Sequence, residues 1–132
     1  MSLNPKWISK KALLLLHEES LSHFGGRRGI KDDGLLESAL ARPQNLLAYN
    51  PKADLFDLAA SCAYGLARNH AFVDGNKRAA FLSIGIFLAI NGYALKADQV
   101  DAIQTITALA AGAIEEKKIA AWIRGNSQPL KP

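Results

Sequence analysis

Cysteine is nearly absent from this chain: Cys62 stands alone among 132 residues. An intrachain disulfide and a multi-cysteine metal centre are therefore excluded. The one thiol falls in an apolar helical pattern and reads as buried, with no chemical role. Long apolar runs are absent too. The longest, residues 79–90, contains a serine and is only 12 residues, against the roughly 20 that a membrane-spanning helix needs. It fits a helix in a domain core. Residues 13–16 are too short for the apolar stretch of a signal peptide, and Glu18 and Glu19 follow closely. The expected location is the cytoplasm, with no membrane partner. Nor is there a strong charge of one sign. Sixteen basic and 12 acidic residues leave a formal charge of +4. No long basic run gathers it on one face, so direct nucleic-acid binding is not expected.

What remains is a globular composition, 49% apolar and 21% charged, of a size for one core. No repeat, low-complexity tract or long linker divides the chain, so residues 1–132 are expected to form a single domain. No segment alternates with a period of two. Helical patterns recur instead. Ser9 can cap a helix over about 10–23, with Leu13, Leu16, Ser20 and Phe24 near one face, and Gly25-Gly26 ends it. Asp32 or Asp33 can cap a short second helix through about Arg42, with Leu35, Leu36, Ala39 and Leu40 apolar, and Pro43 stops or redirects it. Asp54 opens a third helix through about Asn69. A fourth, about 76–90, is apolar nearly all round and should be central, and Asn91-Gly92 closes it. Asp98 caps a fifth, with Val100, Ile103, Ile106 and Leu109 inward. Residues 113–124 make a sixth, with Ile114, Ile119, Trp122 and Ile123 apolar, and residues 125–132 read as a frayed tail. The expected fold is all-α, one compact bundle of about six helices.

Between the third and fourth helices lies His70-Ala71-Phe72-Val73-Asp74-Gly75-Asn76-Lys77-Arg78. Lys77 and Arg78 sit where a helix begins, although the positive end of the helix dipole repels cations there. A bound anion resolves that conflict, because free helix N–H groups and two cations make a phosphate site. His70 is a candidate general base, or else a helix C-cap. Asp74 is a candidate magnesium ligand, or else an N-cap. Phe72 reads as a packing anchor, Gly75 as a point of close backbone approach, and Asn76 as a residue that orders the loop or contacts phosphate. The set suits phosphoryl or nucleotidyl transfer. It is not a Walker loop, since G-x-x-x-x-G-K-[ST] does not occur.

These residues resemble the Fic/Doc family, whose pattern is H-x-F-x-[D/E]-G-N-G-R-x-x-R, and the death-on-curing (Doc) toxin branch in particular. Gly25-Gly26, Gly29-Ile30, Asp32, the run Leu35-Leu36-Glu37-Ser38-Ala39-Leu40 and Gln44 extend the likeness upstream, and the helical layout extends it over nearly the whole chain. Lys77 stands where the family has its second glycine, and Phe81 where it has its last arginine. Fic enzymes mostly transfer AMP to hydroxyl groups. A lysine at that position marks the Doc branch, which transfers the ATP γ-phosphate.

The resemblance thus implies a toxin kinase using ATP and Mg2+, with elongation factor Tu as target through a threonine, halting protein synthesis. It implies His70 as catalytic base, Asp74 as metal ligand, and Gly75, Asn76, Lys77 and Arg78 around the ATP phosphates. Arg27, Arg28 and Lys31 are candidates for target docking or a flap. Some Fic proteins restrain themselves with a helix of the form [S/T]-x-x-x-E-[G/N]. No serine or threonine here has Glu four residues on, so the expected restraint is a Phd-like antitoxin folding as a helix into a groove. Two alternatives stand beside the kinase: an AMP transferase of the Fic type, and a catalytically weak module that binds an antitoxin.

Overall fold

The computed structural model describes residues 3–130. Its centre is set by alanine-rich helices whose small side chains permit close approach. Helix α1 covers Lys10–Phe24, α2 Asp33–Tyr49, α3 Leu55–Asn69 and α4 Asn76–Ile90. Strand β1 (Tyr93–Leu95) follows, then α5 (Gln99–Ala110), α6 (Glu116–Gly125) and strand β2 (Ser127–Pro129). The fold is helical, as expected, with six helices. Helix α3 is buried along most of its length, from Leu58 to Ala67, and packs on α2, α4 and α6. Phe72, Phe87, Leu58, Leu66, Ile84 and Leu88 fill the centre. No described helix is long and apolar enough to cross a membrane.

The helix starts follow from side-chain oxygens. Ser9 accepts from the Ala12 N–H, Asp32 from Leu35 and Asp98 from Asp101. Asp54 and Asp57 form a reciprocal capping box at α3. Arg124 of α6 reaches the same pair, 2.8 Å from Asp54 and 3.3 Å from Asp57. Burial raises the Asp54 carboxyl, but the Asp57 N–H and the Arg124 guanidinium outweigh it and hold the group below its ordinary value.

Several expectations need correction. Pro43 does not stop α2, which runs on to Tyr49. The proline lacks an N–H for the preceding turn, at a cost of about 3 kcal/mol. Its buried ring offsets this, as do Leu46 and Leu47, which pack on the core beyond it. The buried stripe of α1 is Leu13, His17 and Leu21, spaced by four, while Phe24 is 73% exposed. Leu35 of α2 is exposed. In α5 the inward residues are Ala102, Ile106 and Leu109. Val100 and Ile103 are exposed, and Ile103 faces a cleft instead of the core. Helix α6 starts at Glu116, so Ile114 precedes it. Most of the tail is not frayed: β2 pairs antiparallel with β1, in the register Tyr93 to Pro129 and Leu95 to Ser127. Residues 131 and 132 of that tail lie outside the described residues.

The far end of α4 is strapped down from both sides. The Asn91 side chain accepts from the Lys6 N–H and donates to the carbonyls of Lys6 and Phe87. Trp7 packs against Phe87, with ring centres 6.2 Å apart. Leu130 donates its N–H to the Gly92 carbonyl. Helix α4 is thereby fixed at one end, and its other end opens onto the motif loop.

Candidate functional site

The loop from His70 to Gly75 is ordered by its own side chains. Asn76 accepts from the Phe72 N–H at 2.9 Å and donates to the Phe72 carbonyl at 3.0 Å. Both ends of its amide are therefore used to close the loop. Phe72 is buried and anchors the loop in the core. His70 caps α3 in the left-handed region, with φ 53° and ψ 47°, the one described non-glycine residue with positive φ. Such a conformation costs on the order of 1 kcal/mol or more. It turns the chain away from α3 and places the exposed imidazole on the wall of a cleft.

The start of α4 is bare. Gly75 is its N-cap, so Asp74 does not fill that role, and no described side chain caps the helix. The first bond of the helix is Ala79 N–H to Gly75 carbonyl, so the N–H groups of Asn76, Lys77 and Arg78 precede it. Lys77 and Arg78 are exposed beside these groups. The Arg78 guanidinium lies 4.2 Å over the Phe24 ring and 3.3 Å from the Ser20 hydroxyl.

Asp74 is exposed and ionised. The backbone N–H groups of Arg27, at 3.1 Å, and Gly75, at 2.8 Å, hold its carboxyl below the ordinary value. No group of three or more His, Cys, Asp or Glu side chains that could hold a metal ion stands among the described residues. A lone ionised carboxylate beside an uncapped helix start fits the ligand chemistry of magnesium, which takes one or two carboxylates and completes its shell with substrate phosphates and water.

The loop carrying Arg27, Arg28 and Lys31 lies along the motif. Ile30 bridges Phe72, Val73 donates to the Gly29 carbonyl, and Lys31 and Asp32 both donate to the Ala71 carbonyl. This stretch is thus zipped to the motif through its backbone, and its three cationic side chains remain exposed.

The cleft has a volume of about 1060 Å3. One end is formed by His70 and by the residues from Asp74 to Arg78. The other end runs between α4 and α5 and is apolar, with Leu82, Ala102, Ile103, Ile106 and Ala110. The structure therefore brings His70, Asp74, Gly75, Asn76, Lys77 and Arg78 to one cavity, while Arg27, Arg28 and Lys31 do not line it.

One residue escapes the sequence reading. His17 is buried among apolar neighbours, 2% exposed, and its ring stacks on Phe72 with centres 3.8 Å apart. Its Nε2 lies 2.9 Å from the Asp74 carbonyl oxygen. A carbonyl only accepts, so Nε2 carries the hydrogen. The available signal was its place midway between Leu13 and Leu21 on the inward stripe of α1.

Comparison with known proteins places the chain in a family. Residues 7–88 match the model of the Fic/DOC family. Over 76 residues the chain is 49% identical to Toxin Doc of Mycolicibacterium smegmatis, covering 57% of this chain and 58% of that protein. Over 85 residues it is 40% identical to Protein kinase doc of Escherichia phage P1, covering 64% of this chain and 68% of that protein. The match thus spans under two thirds of the first relative and just over two thirds of the second.

Proposed function

The chain belongs to the Fic/DOC family, and from that premise we propose that it is a Doc-type toxin that transfers the γ-phosphate of ATP to a protein hydroxyl. One observation carries the reading. An exposed histidine, an ionised lone carboxylate and a bare helix start with two cations share one cleft. The relative from phage P1 is named a protein kinase, which favours γ-phosphate transfer over AMP transfer. Lys77 favours it too, since its side chain occupies ground where the family's AMP transferases carry glycine.

In this mechanism His70 accepts the proton of the target hydroxyl as its oxygen bonds to the γ-phosphorus. The bond from the γ-phosphorus to the bridging oxygen breaks, and ADP leaves with that electron pair. The N–H groups of Asn76, Lys77 and Arg78 hold phosphate oxygens, and both cations balance their charge. Gly75 lets the phosphates come close to the backbone. Asp74 would hold Mg2+, which neutralises charge on the phosphates when bound. Arg27, Arg28 and Lys31, zipped beside the loop, would dock the target or form a flap over the cleft. The proposed target is a threonine of elongation factor Tu, and its modification would arrest translation in the cytoplasm.

The apolar end of the cleft suits a helix of an antitoxin of the Phd kind, laid between α4 and α5 with its apolar side inward. The exposed Ile103 supports such a partner.

The test uses ATP labelled at the γ- or the α-phosphate, with magnesium, a bacterial lysate and a His70→Ala control. Label on a protein of the size of elongation factor Tu from γ-labelled ATP alone is the expected result. Label from α-labelled ATP would make the chain an AMP transferase. No label from either, with growth arrest intact, would leave a binding module.

A further inference from the structure

Helix α1 contributes nothing to the motif in sequence, yet four of its residues touch it. His17, Ser20, Leu21 and Phe24 recur at helical spacing along one face. Ser20 and Phe24 meet Arg78. Leu21 and His17 close around Gly75: a Cβ there would come within 2.9 Å of His17 Nε2 and 3.4 Å of Leu21 Cδ2.

The peptide that joins Asp74 to Gly75 is gripped on both sides. Its carbonyl accepts from His17, and its N–H donates to the carboxylate of Asp74 itself. Gly75 has φ 75°, the left-handed turn from which α4 starts. Rotating this one peptide would swing the Asp74 carboxylate and re-aim the first N–H groups of α4 together. Two of the three elements of the proposed phosphate site thus depend on one plane. The His17 ring cannot follow such a rotation, because it is stacked on Phe72 and buried.

We propose that His17 is a positioning residue for the reaction, holding the Asp74–Gly75 peptide in the orientation that aims the Asp74 carboxylate and the start of α4 at the phosphates. This rests on the phosphate-transfer reading for its kinetic consequence, and on geometry alone for its structural one. The grip is a donated hydrogen bond, so a side chain that keeps a donor should keep the function. A side chain that keeps only the ring should not.

Two variants separate these cases. His17→Phe retains a ring against Phe72 and removes the donor. His17→Gln retains an N–H donor of similar reach and removes the stack. Amide hydrogen exchange of residues 72–78 is measured on each full chain without nucleotide, and transfer of label from ATP is measured at varied ATP concentration. The expected result for His17→Phe is faster exchange in the loop. Its kcat should fall about ten- to a hundredfold, the scale of a misplaced reacting group, with KM changed far less. His17→Gln is expected to restore slow exchange and most of kcat. Wild-type exchange and kcat in His17→Phe would overturn the proposal and leave His17 as packing. Equal losses in both variants would also overturn it, since a retained donor would then not suffice to hold the peptide. If His17→Phe does not fold, fast exchange in folded His17→Gln overturns it and slow exchange supports it. If the wild-type chain transfers no label, the phosphate-transfer reading fails, and the exchange comparison still decides whether His17 holds the loop.

Discussion

The guanidinium of Arg78 rests 4.2 Å over the ring of Phe24, so a cation of the motif is held by the last turn of the first helix. The Ser20 hydroxyl, 3.3 Å away, adds a hydrogen bond. Arg78 is therefore held by contacts within the chain itself. Phe24→Ala should weaken Mg-ATP binding by about two- to fivefold, corresponding to the roughly 0.5–1 kcal/mol of an exposed cation–π contact. Calorimetric titration checks it, and unchanged affinity would mean that Arg78 needs no such support.

Asn76 offers a sharper test of loop order. Asn76→Ala removes both bonds to Phe72 and leaves its partly buried backbone groups unpaired. The expected loss is about 1–3 kcal/mol of unfolding free energy in urea. Asn76→Asp keeps the acceptor for the Phe72 N–H and suits a helix start, so it should lose less. A larger loss in Asn76→Asp would contradict this account.

Gly65 marks where α2 and α3 touch. A Cβ there would meet Arg42 Cδ at 2.6 Å and Ala39 Cα at 3.0 Å. Arg42 cannot easily retreat, since it donates to the Ser61 carbonyl, pairs with Glu116 and lies over the Tyr64 ring. Glycine to alanine inside a helix ordinarily gains up to about 1 kcal/mol. Here overpacking, at about 1–3 kcal/mol, should exceed that gain. Gly65→Ala is expected to melt below wild type in scanning calorimetry.

Asp54 couples stability to acid. Its folded value lies below its unfolded one, so its contribution is complete above the ordinary carboxylate range. It is lost as pH falls through the folded value, because the unfolded chain then binds more protons. The pair with Arg124 is about half exposed, which limits the effect to roughly 1 kcal/mol or less. Asp54→Asn, which can still cap α3, should flatten the fall of stability below about pH 4. Urea midpoints across that range measure it.

Cys62 is buried, and burial pushes its thiol up to about 12. Alkylation of the native chain at neutral pH should therefore proceed only through opening of the core. Labelling by iodoacetamide is expected to be slow in buffer and fast in denaturing urea. Rapid labelling in buffer would show that α3 and α4 part readily.

Sequence signals proved strongest where one side chain decides one backbone bond. Ser9, Asp54 and Asp98 each announce a helix start, and each accepts the N–H expected of a cap. Pro43 misleads because its rule is local, while the packing of Leu46 and Leu47 is tertiary. The two strands are three residues each, too short for any alternation to register. Ile103 has core periodicity, yet it lines the apolar end of the cleft, and hydrophobicity cannot distinguish a core from a groove. The motif residues were legible because their types conflict with a helix start. His17 was not, since a histidine on an apolar stripe carries no such conflict.

The turn at Asn91-Gly92 receives two strands of chain, one at Lys6 and the other at Leu130. It lies at the opposite end of the 15-residue α4 from the motif, about 22 Å away at 1.5 Å per residue. A tether or fluorophore attached beside Lys6 or Leu130 would thus anchor the molecule by its back, leaving the mouth of the cleft turned toward solution for a surface-based binding assay.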